Sequence, residues 1–198
     1  MTMKTVNTRT TEYDIDDVFL KRFSPRAMSG EIVAKDALMT LFESARFAPS
    51  SNNIQPWRFI YAIKGTPDFD LFLSFLKEFN QFWCKNAGAL VIVLSKNTLP
   101  DDSPSLTHSF DTGLACENLA LQCVHMGLVN HMMGGFEMDV LRSTLGIADM
   151  YTVETMIAIG HPGDIAELPE KYQAREIPST RKSLEEIVFE GKEGMGNL

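Results

Sequence analysis

Residues 89–95 read Ala-Leu-Val-Ile-Val-Leu-Ser, an unbroken apolar run closed by a small polar residue. A strand with one wet face alternates apolar and polar side chains, so a continuous run asks for a strand covered on both faces. The chain must therefore supply material for two sides of a sheet. Two further strand candidates, residues 57–63 and 152–160, are each closed by Gly and Pro. The covering material is helical. Residues 14–23 read as a short helix with acid at its N-terminal end. Ser29 is placed to cap a helix in which Ile32, Val33, Leu38, Met39, Leu41, Phe42 and Ala45 fall at helical spacing, up to Pro49. Residues 68–83 are amphipathic and divide into one helix or two. Residues 108–127 form a long apolar helix with Gly127 at its C′ position. A Gly pair then leads into a short helix over 137–146, and Ser183 opens a last short helix. The order of helix, strand, helix, strand, helix, helix, strand predicts an α+β three-layer α/β/α domain around a small central sheet. Residues 1–11 are polar and read as a flexible N-terminal arm, residues 12–190 as a single domain, and residues 191–198 as a C-terminal tail.

Composition narrows the partners. A net charge of −8 argues against nucleic acid as a bulk partner, because phosphate backbones need clustered Lys and Arg. No stretch approaches the roughly 20 apolar residues of a membrane span. The opening residues lack the apolar core of a signal peptide. Cys84, Cys116 and Cys123 form no CxxC pair and no even framework, which predicts reduced thiols in a cytoplasm.

Several stretches carry chemistry-bearing side chains. Arg22, Ser24 and Arg26 alternate, and Pro25 disfavours helix at Ser24, so an extended backbone would point all three the same way. Two guanidinium forks and a hydroxyl suit a phosphate or carboxylate; a solvated basic turn is the plainer reading. Arg181 and Lys182 precede a helical turn carrying Glu185 and Glu186, either an anion contact or a surface ion pair. Gly134–Gly135 would let a backbone N–H approach a flat ligand, or would serve a turn that needs positive φ. Residues 48–59, Ala-Pro-Ser-Ser-Asn-Asn-Ile-Gln-Pro-Trp-Arg-Phe, hold far more hydrogen-bonding groups than a connector needs. No GxGxxG, P-loop or GxSxG pattern is present, and Cys123, His125 and His131 lack metal-ligand spacing.

The segment Pro49-Ser50-Ser51-x-Asn53-x-Gln55-Pro56-Trp57-Arg58-Phe59 closely resembles a hallmark of the nitroreductase family of FMN enzymes. Arg22-x-Ser24-x-Arg26 lies upstream at that family's usual distance. Residues 79–96 resemble its Asn-containing helix and central strand, and residues 111–128 its dimer-core helix. Residues 133–147 resemble its flavin-edge turn, 157–164 its last core strand, and 179–188 its C-terminal Arg motif. The resemblance covers about residues 12–190 and implies the family's fold, with a mainly antiparallel sheet in an intertwined homodimer.

The resemblance further implies two FMN sites at the dimer interface and NAD(P)H as co-substrate. It implies ping-pong hydride transfer to a nitroaromatic, quinone or similar small acceptor. By position, Arg22, Arg181 and Lys182 would hold the phosphate, with Ser24 near the flavin. Arg26 would lie at the N1–C2=O edge and Asn80 at the pyrimidine edge. The backbone of Met133, Gly134 and Gly135 would lie near N5. Pro49, Ser50, Ser51 and Asn53 would come from the partner chain. No catalytic side chain is implied, because the cofactor carries the hard step. The short segments 57–80 and 136–151 imply an open, shallow site. Relatives that dehalogenate, oxidise azolines or break down flavin define an alternative chemistry, and a flavin carrier or redox sensor without turnover an alternative class.

Overall fold

In the computed structural model, which describes residues 7–191, four strands pair antiparallel in the order β1-β2-β4-β3. They are β1 (Trp57–Ile63), β2 (Ala89–Lys96), β3 (Val129–Met133) and β4 (Tyr151–Gly160). The helices are α1 (Asp17–Lys21), α2 (Lys35–Arg46), α3 (Pro67–Phe75), α4 (Glu78–Cys84), α5 (His108–His125), α6 (Met138–Leu145) and α7 (Glu170–Gln173).

The alternation of β2 divides the core in two. Leu90, Ile92 and Leu94 pack with Phe69, Phe72 and Phe75 of α3, Trp83 of α4 and Leu141 of α6. Ala89, Val91 and Val93 pack with Leu38 and Leu41 of α2 and Ala115, Leu119 and Cys123 of α5. Both faces of β2 are thus covered, as its unbroken apolar run requires. Each aliphatic side chain fully buried here contributes about 1.5–3 kcal/mol of transfer free energy. The register between β2 and β4 skips one residue at Glu154, a bulge between Val93–Thr155 and Leu94–Val153. No helix among the described residues is long and apolar enough to cross a membrane.

Three expectations need correction. Ser29 caps no helix: α2 begins at Lys35, and the Ser29 Oγ accepts instead from the Glu31 N–H at 3.2 Å. Residues 22–33 form no helix and cross the end of the sheet, where Met28 bridges to Pro162 and Val33 is fully buried. That path is fixed by close backbone approaches, since a Cβ at Gly163 would lie 2.5 Å from Met28 C and one at Gly88 2.4 Å from Glu31 O. Tertiary contact overrides the helical spacing of Ile32 and Val33. The second correction is β3, a fourth strand in residues read only as a lead into the Gly pair; its mix of Asn, His and Met gives no clean alternation. Third, the last short helix is a single 3-10 turn over Leu184–Glu186, closed by a capping box between Ser183 and Glu186. The amphipathic stretch 68–83 forms two helices, α3 and α4, with Leu76 bridging to Phe136 between them.

Candidate functional site

The extended strip 22–27 runs beside β3, and its residues turn to different partners. The Arg22 Nε lies 3.7 Å from Glu117 Oε1 on α5. Ser24 is exposed, and its hydroxyl has no protein partner among the described residues. Arg26 donates its backbone N–H to Glu176 Oε2 at 2.8 Å, and its Nη1 lies 3.4 Å from Glu176 Oε1. Ala27 donates to the same Oε2 at 3.1 Å. The Glu176 side chain is 1% exposed, and Arg26 Cζ sits 6.0 Å over the Tyr172 ring. The strip thus does not aim Arg22 and Arg26 at one protein group. Arg22 turns to α5 and Arg26 to Glu176, and the strip that joins them begins a line of contacts.

Beyond Arg26 the line continues into the core. His131 Nδ1 lies 3.1 Å from the Pro25 carbonyl, and its ring stands 4.7 Å from Trp83. Burial, then the Arg26 charge, pushes the His131 imidazole down to about 4, so it is neutral at neutral pH. The buried Trp83 Nε1 has no hydrogen-bond partner among the described residues. Asn80, one turn earlier on α4, donates its Nδ2 to the Gly135 carbonyl at 3.0 Å, and that carbonyl also accepts from the Lys77 N–H at 2.9 Å. These bonds leave the Asn80 Oδ1 and the Gly134 and Gly135 N–H groups without protein partners among the described residues. A Cβ at Gly134 would meet nothing within 4 Å, whereas one at Gly135 would stand 2.7 Å from Asn80 Nδ2 and 2.8 Å from Phe79 Cζ. Gly135 is therefore needed for packing, and Gly134 opens a face. Met133 has its side chain in the core, with Sδ 3.4 Å from Cys84 Sγ, and its carbonyl accepts from Thr155 Oγ1 at 3.0 Å.

At the other end, Arg22 and Arg181 each lie near Arg9, to which neither spacing nor motif points. Arg9 donates from Nε to Ser179 O at 2.9 Å and from Nη1 to Leu20 O at 3.2 Å and Arg22 O at 2.6 Å. Burial, then the charges of Arg181 and Arg22, lowers the Arg9 pKa. Arg181 Nη1 is held locally by Ser179 Oγ at 2.9 Å and the Thr180 carbonyl at 3.0 Å. Among the described residues, Glu117 is the one carboxylate paired with any of these three guanidiniums. Lys182 is exposed and free of a protein partner among the described residues.

The loop 49–55 stands apart from this line. Pro49 is exposed, Ser50 Oγ accepts from the Gln55 N–H at 3.0 Å, and the Ser51 N–H donates to Asp111 Oδ2 at 3.2 Å. Asp111, buried in the first turn of α5, also accepts from Thr107 Oγ1 at 3.0 Å. Asn52, Asn53 and Gln55 all adopt left-handed backbone, with φ of 50°, 56° and 54°. Asn tolerates this conformation and Gln less so, so these anchors hold the loop in a fixed, strained shape. Among the described residues, its polar side chains reach none of Arg22, Arg26, Asn80 or Gly134.

Residues 20–161 match the family model of the nitroreductase family. The chain belongs to the nitroreductase family. A solved oxidoreductase containing FMN is 42% identical over 96% of this chain and 98% of its own, with a TM-score of 0.91. A nitroreductase, provisionally so named, from Desulfovibrio desulfuricans, solved in complex with FMN, superposes with a TM-score of 0.73 at 22% identity, over 91% of this chain and 98% of its own. A curated relative from Archaeoglobus fulgidus, provisionally named NADH dehydrogenase/NAD(P)H nitroreductase, is 28% identical over 72% of this chain and 82% of its own length. The α+β nitroreductase fold is thereby established, and the line from Arg9 to Gly134 lies on it.

Proposed function

We propose that this nitroreductase-family chain is an FMN-dependent oxidoreductase. It takes electrons from NAD(P)H and passes them to nitroaromatic, quinone or similar small acceptors, in a homodimer whose sites draw on both subunits. One observation carries the reading: a guanidinium cluster nearly without counter-charge lies at one end of a line that ends at Asn80 and the Gly134 turn, whose polar groups are unpartnered. Guanidinium forks match a phosphate monoester, and free backbone donors beside an amide oxygen match the edge of a heteroaromatic ring. The residues present fit FMN. The FMN-containing relative at 42% identity supports the same cofactor here, and the name of the Archaeoglobus relative supports NAD(P)H.

In this reading Arg22, Arg181 and Lys182 hold the phosphate. Ser24 and Arg26 lie along the ring, and the Asn80 Oδ1 accepts from its imide N–H. The Gly134 and Gly135 N–H groups face its reactive edge, and Met133 supplies backbone alone. Bound FMN supplies the hydride-carrying chemistry, so the protein binds and orients rather than reacts. The thiols are unsuited to react: burial pushes Cys116 and Cys123 up to about 12, and raises Cys84 as well.

The exposed apolar side chains of Leu106 (96%) and Phe110 (71%), with Ile177, Ile187 and Val188 near the C-terminal Arg motif, support a second copy as partner. The anchored loop carrying Pro49, Ser50, Ser51 and Asn53 would then close the partner's site. Residues 12–190 act as one FMN-binding unit, and three free buried thiols support a reducing, cytoplasmic setting. Gel filtration after loading with FMN tests the proposal. The expected result is a dimer-sized peak carrying about one flavin per subunit; a monomer, or a dimer without flavin, contradicts it.

A further inference from the structure

Arg9 lies outside every motif that carries the family resemblance, yet its guanidinium is anchored to main-chain carbonyls of two distant segments. Its Nε bonds the Ser179 carbonyl, and its Nη1 bonds those of Leu20 and Arg22. The first belongs to the segment of Arg181, the other two to the segment of Arg22. Arg9 thus splints the stretch of Leu20 and Arg22 to the distant stretch of Ser179, its own bond to Ser179 spanning 170 residues. Its Nη2 has no protein partner among the described residues. The fork is held by three carbonyls in a partly buried place, where free rotation has already been lost and one edge is still available to donate.

A surface arginine seeking hydrogen bonds alone would not settle beside two others. Three guanidiniums gathered with one half-exposed carboxylate, Glu117, repel one another until an anion arrives. Glu117 reaches Arg22 only, at 3.7 Å, and does not neutralise the group. The missing partner is a compact, multiply charged oxyanion with several acceptor oxygens, the chemistry of a phosphate monoester.

We propose that Arg9 is a third phosphate-binding arginine of this chain. Its Nη2 donates to the terminal phosphate of FMN while Nε and Nη1 fix the spacing of the Arg22 and Arg181 segments. The proposal rests on the FMN reading and adds to it a residue from the polar N-terminal stretch. Residues 7–11 are then part of the binding site rather than a loose arm, and the cofactor, when bound, ties the two ends of the domain together.

Titration of wild type, Arg9→Ala and Arg9→Lys with FMN and with riboflavin, read by quenching of flavin fluorescence at low and high salt, tests it. Arg9→Ala is expected to weaken FMN by roughly 10- to 100-fold, the scale of a charge-assisted hydrogen bond, with riboflavin changed by no more than about twofold. The salt dependence of FMN affinity should become shallower. Equal losses for FMN and riboflavin would show a splint only and overturn the proposal, as would an unchanged FMN affinity. Should Arg9→Ala fail to fold, Arg9→Lys decides: it keeps the charge without the fork, so FMN should weaken while riboflavin does not, and equal losses overturn. A wild type that binds FMN and riboflavin alike removes Arg9 from the phosphate and leaves the flavin reading standing. A wild type that binds neither removes both.

Discussion

Glu176 and Arg26, 150 residues apart, are joined by a 2.8 Å hydrogen bond from the Arg26 backbone N–H to Glu176 Oε2, inside a carboxylate that also accepts from Ala27 and faces the Arg26 guanidinium. This buried acid clips the C-terminal segment to the strip that carries Arg22, Ser24 and Arg26. Glu176→Ala removes the acceptor of two main-chain donors and the partner of a half-buried cation. The expected cost is roughly 3 kcal/mol of folding stability, with Glu176→Gln milder because it keeps an acceptor oxygen. Chemical denaturation measures both, and a Glu176→Ala variant that unfolds at the wild-type midpoint would contradict the clip.

The two glycines of the turn should separate cleanly. Gly135→Ala drives a Cβ against Asn80 Nδ2 and Phe79 Cζ, both under 3 Å, and should destabilise by about 1–3 kcal/mol. Gly134→Ala enters open space at an ordinary φ and should leave stability within about 0.5 kcal/mol. Its effect is expected in FMN affinity instead, because the new methyl covers the face assigned to the ring. Thermal melts with and without FMN distinguish the two, and equal destabilisation by both would count against the assignment of Gly134.

His131 sets a pH dependence. Its folded pKa of about 4 lies below the ordinary 6.5, so the unfolded chain binds more protons between those values. Stability is therefore complete above about 6.5 and falls as pH drops toward 4. His131→Phe keeps a ring against Trp83 and removes the titration. Between neutral pH and pH ~4.5, wild type should lose about 2–3 kcal/mol more than the variant, read from denaturant midpoints. Parallel curves for the two proteins would exclude His131 as the source.

All three cysteines are buried, with thiols whose ionisation is pushed up by desolvation. Native protein at mildly alkaline pH should take up almost no iodoacetamide, and the same protein in denaturant should take up three equivalents. Rapid labelling of Cys116 or Cys123 in the native state would show the α5 packing to be looser than described.

Much of the framework is written locally. The apolar run at β2 and the aromatic, β-branched run at β1 are visible because strand periodicity and Gly/Pro punctuation act over a few residues. The loop 49–55 is likewise visible through its density of turn-forming polar residues. The remainder depends on contacts distant in sequence. β3 is an edge strand whose Asn130 is buried by bonding the Ala120 carbonyl, so its polarity reads locally as loop. Ser29 looks like a cap until Gly88, Gly160 and Gly163 draw residues 27–33 onto the sheet end. Arg9, Glu176 and Asp111 carry no periodicity at all. Each gains its role from partners at least four residues away and mostly on other elements, which no spacing rule encodes.

Anaerobic titration of the FMN-loaded protein with NADH and with NADPH, following the flavin absorption band, tests the proposed activity most directly. Rapid bleaching by at least one nicotinamide, reversed on adding a quinone or nitroaromatic, is the expected result. A stably bound flavin that neither nicotinamide bleaches would contradict the account.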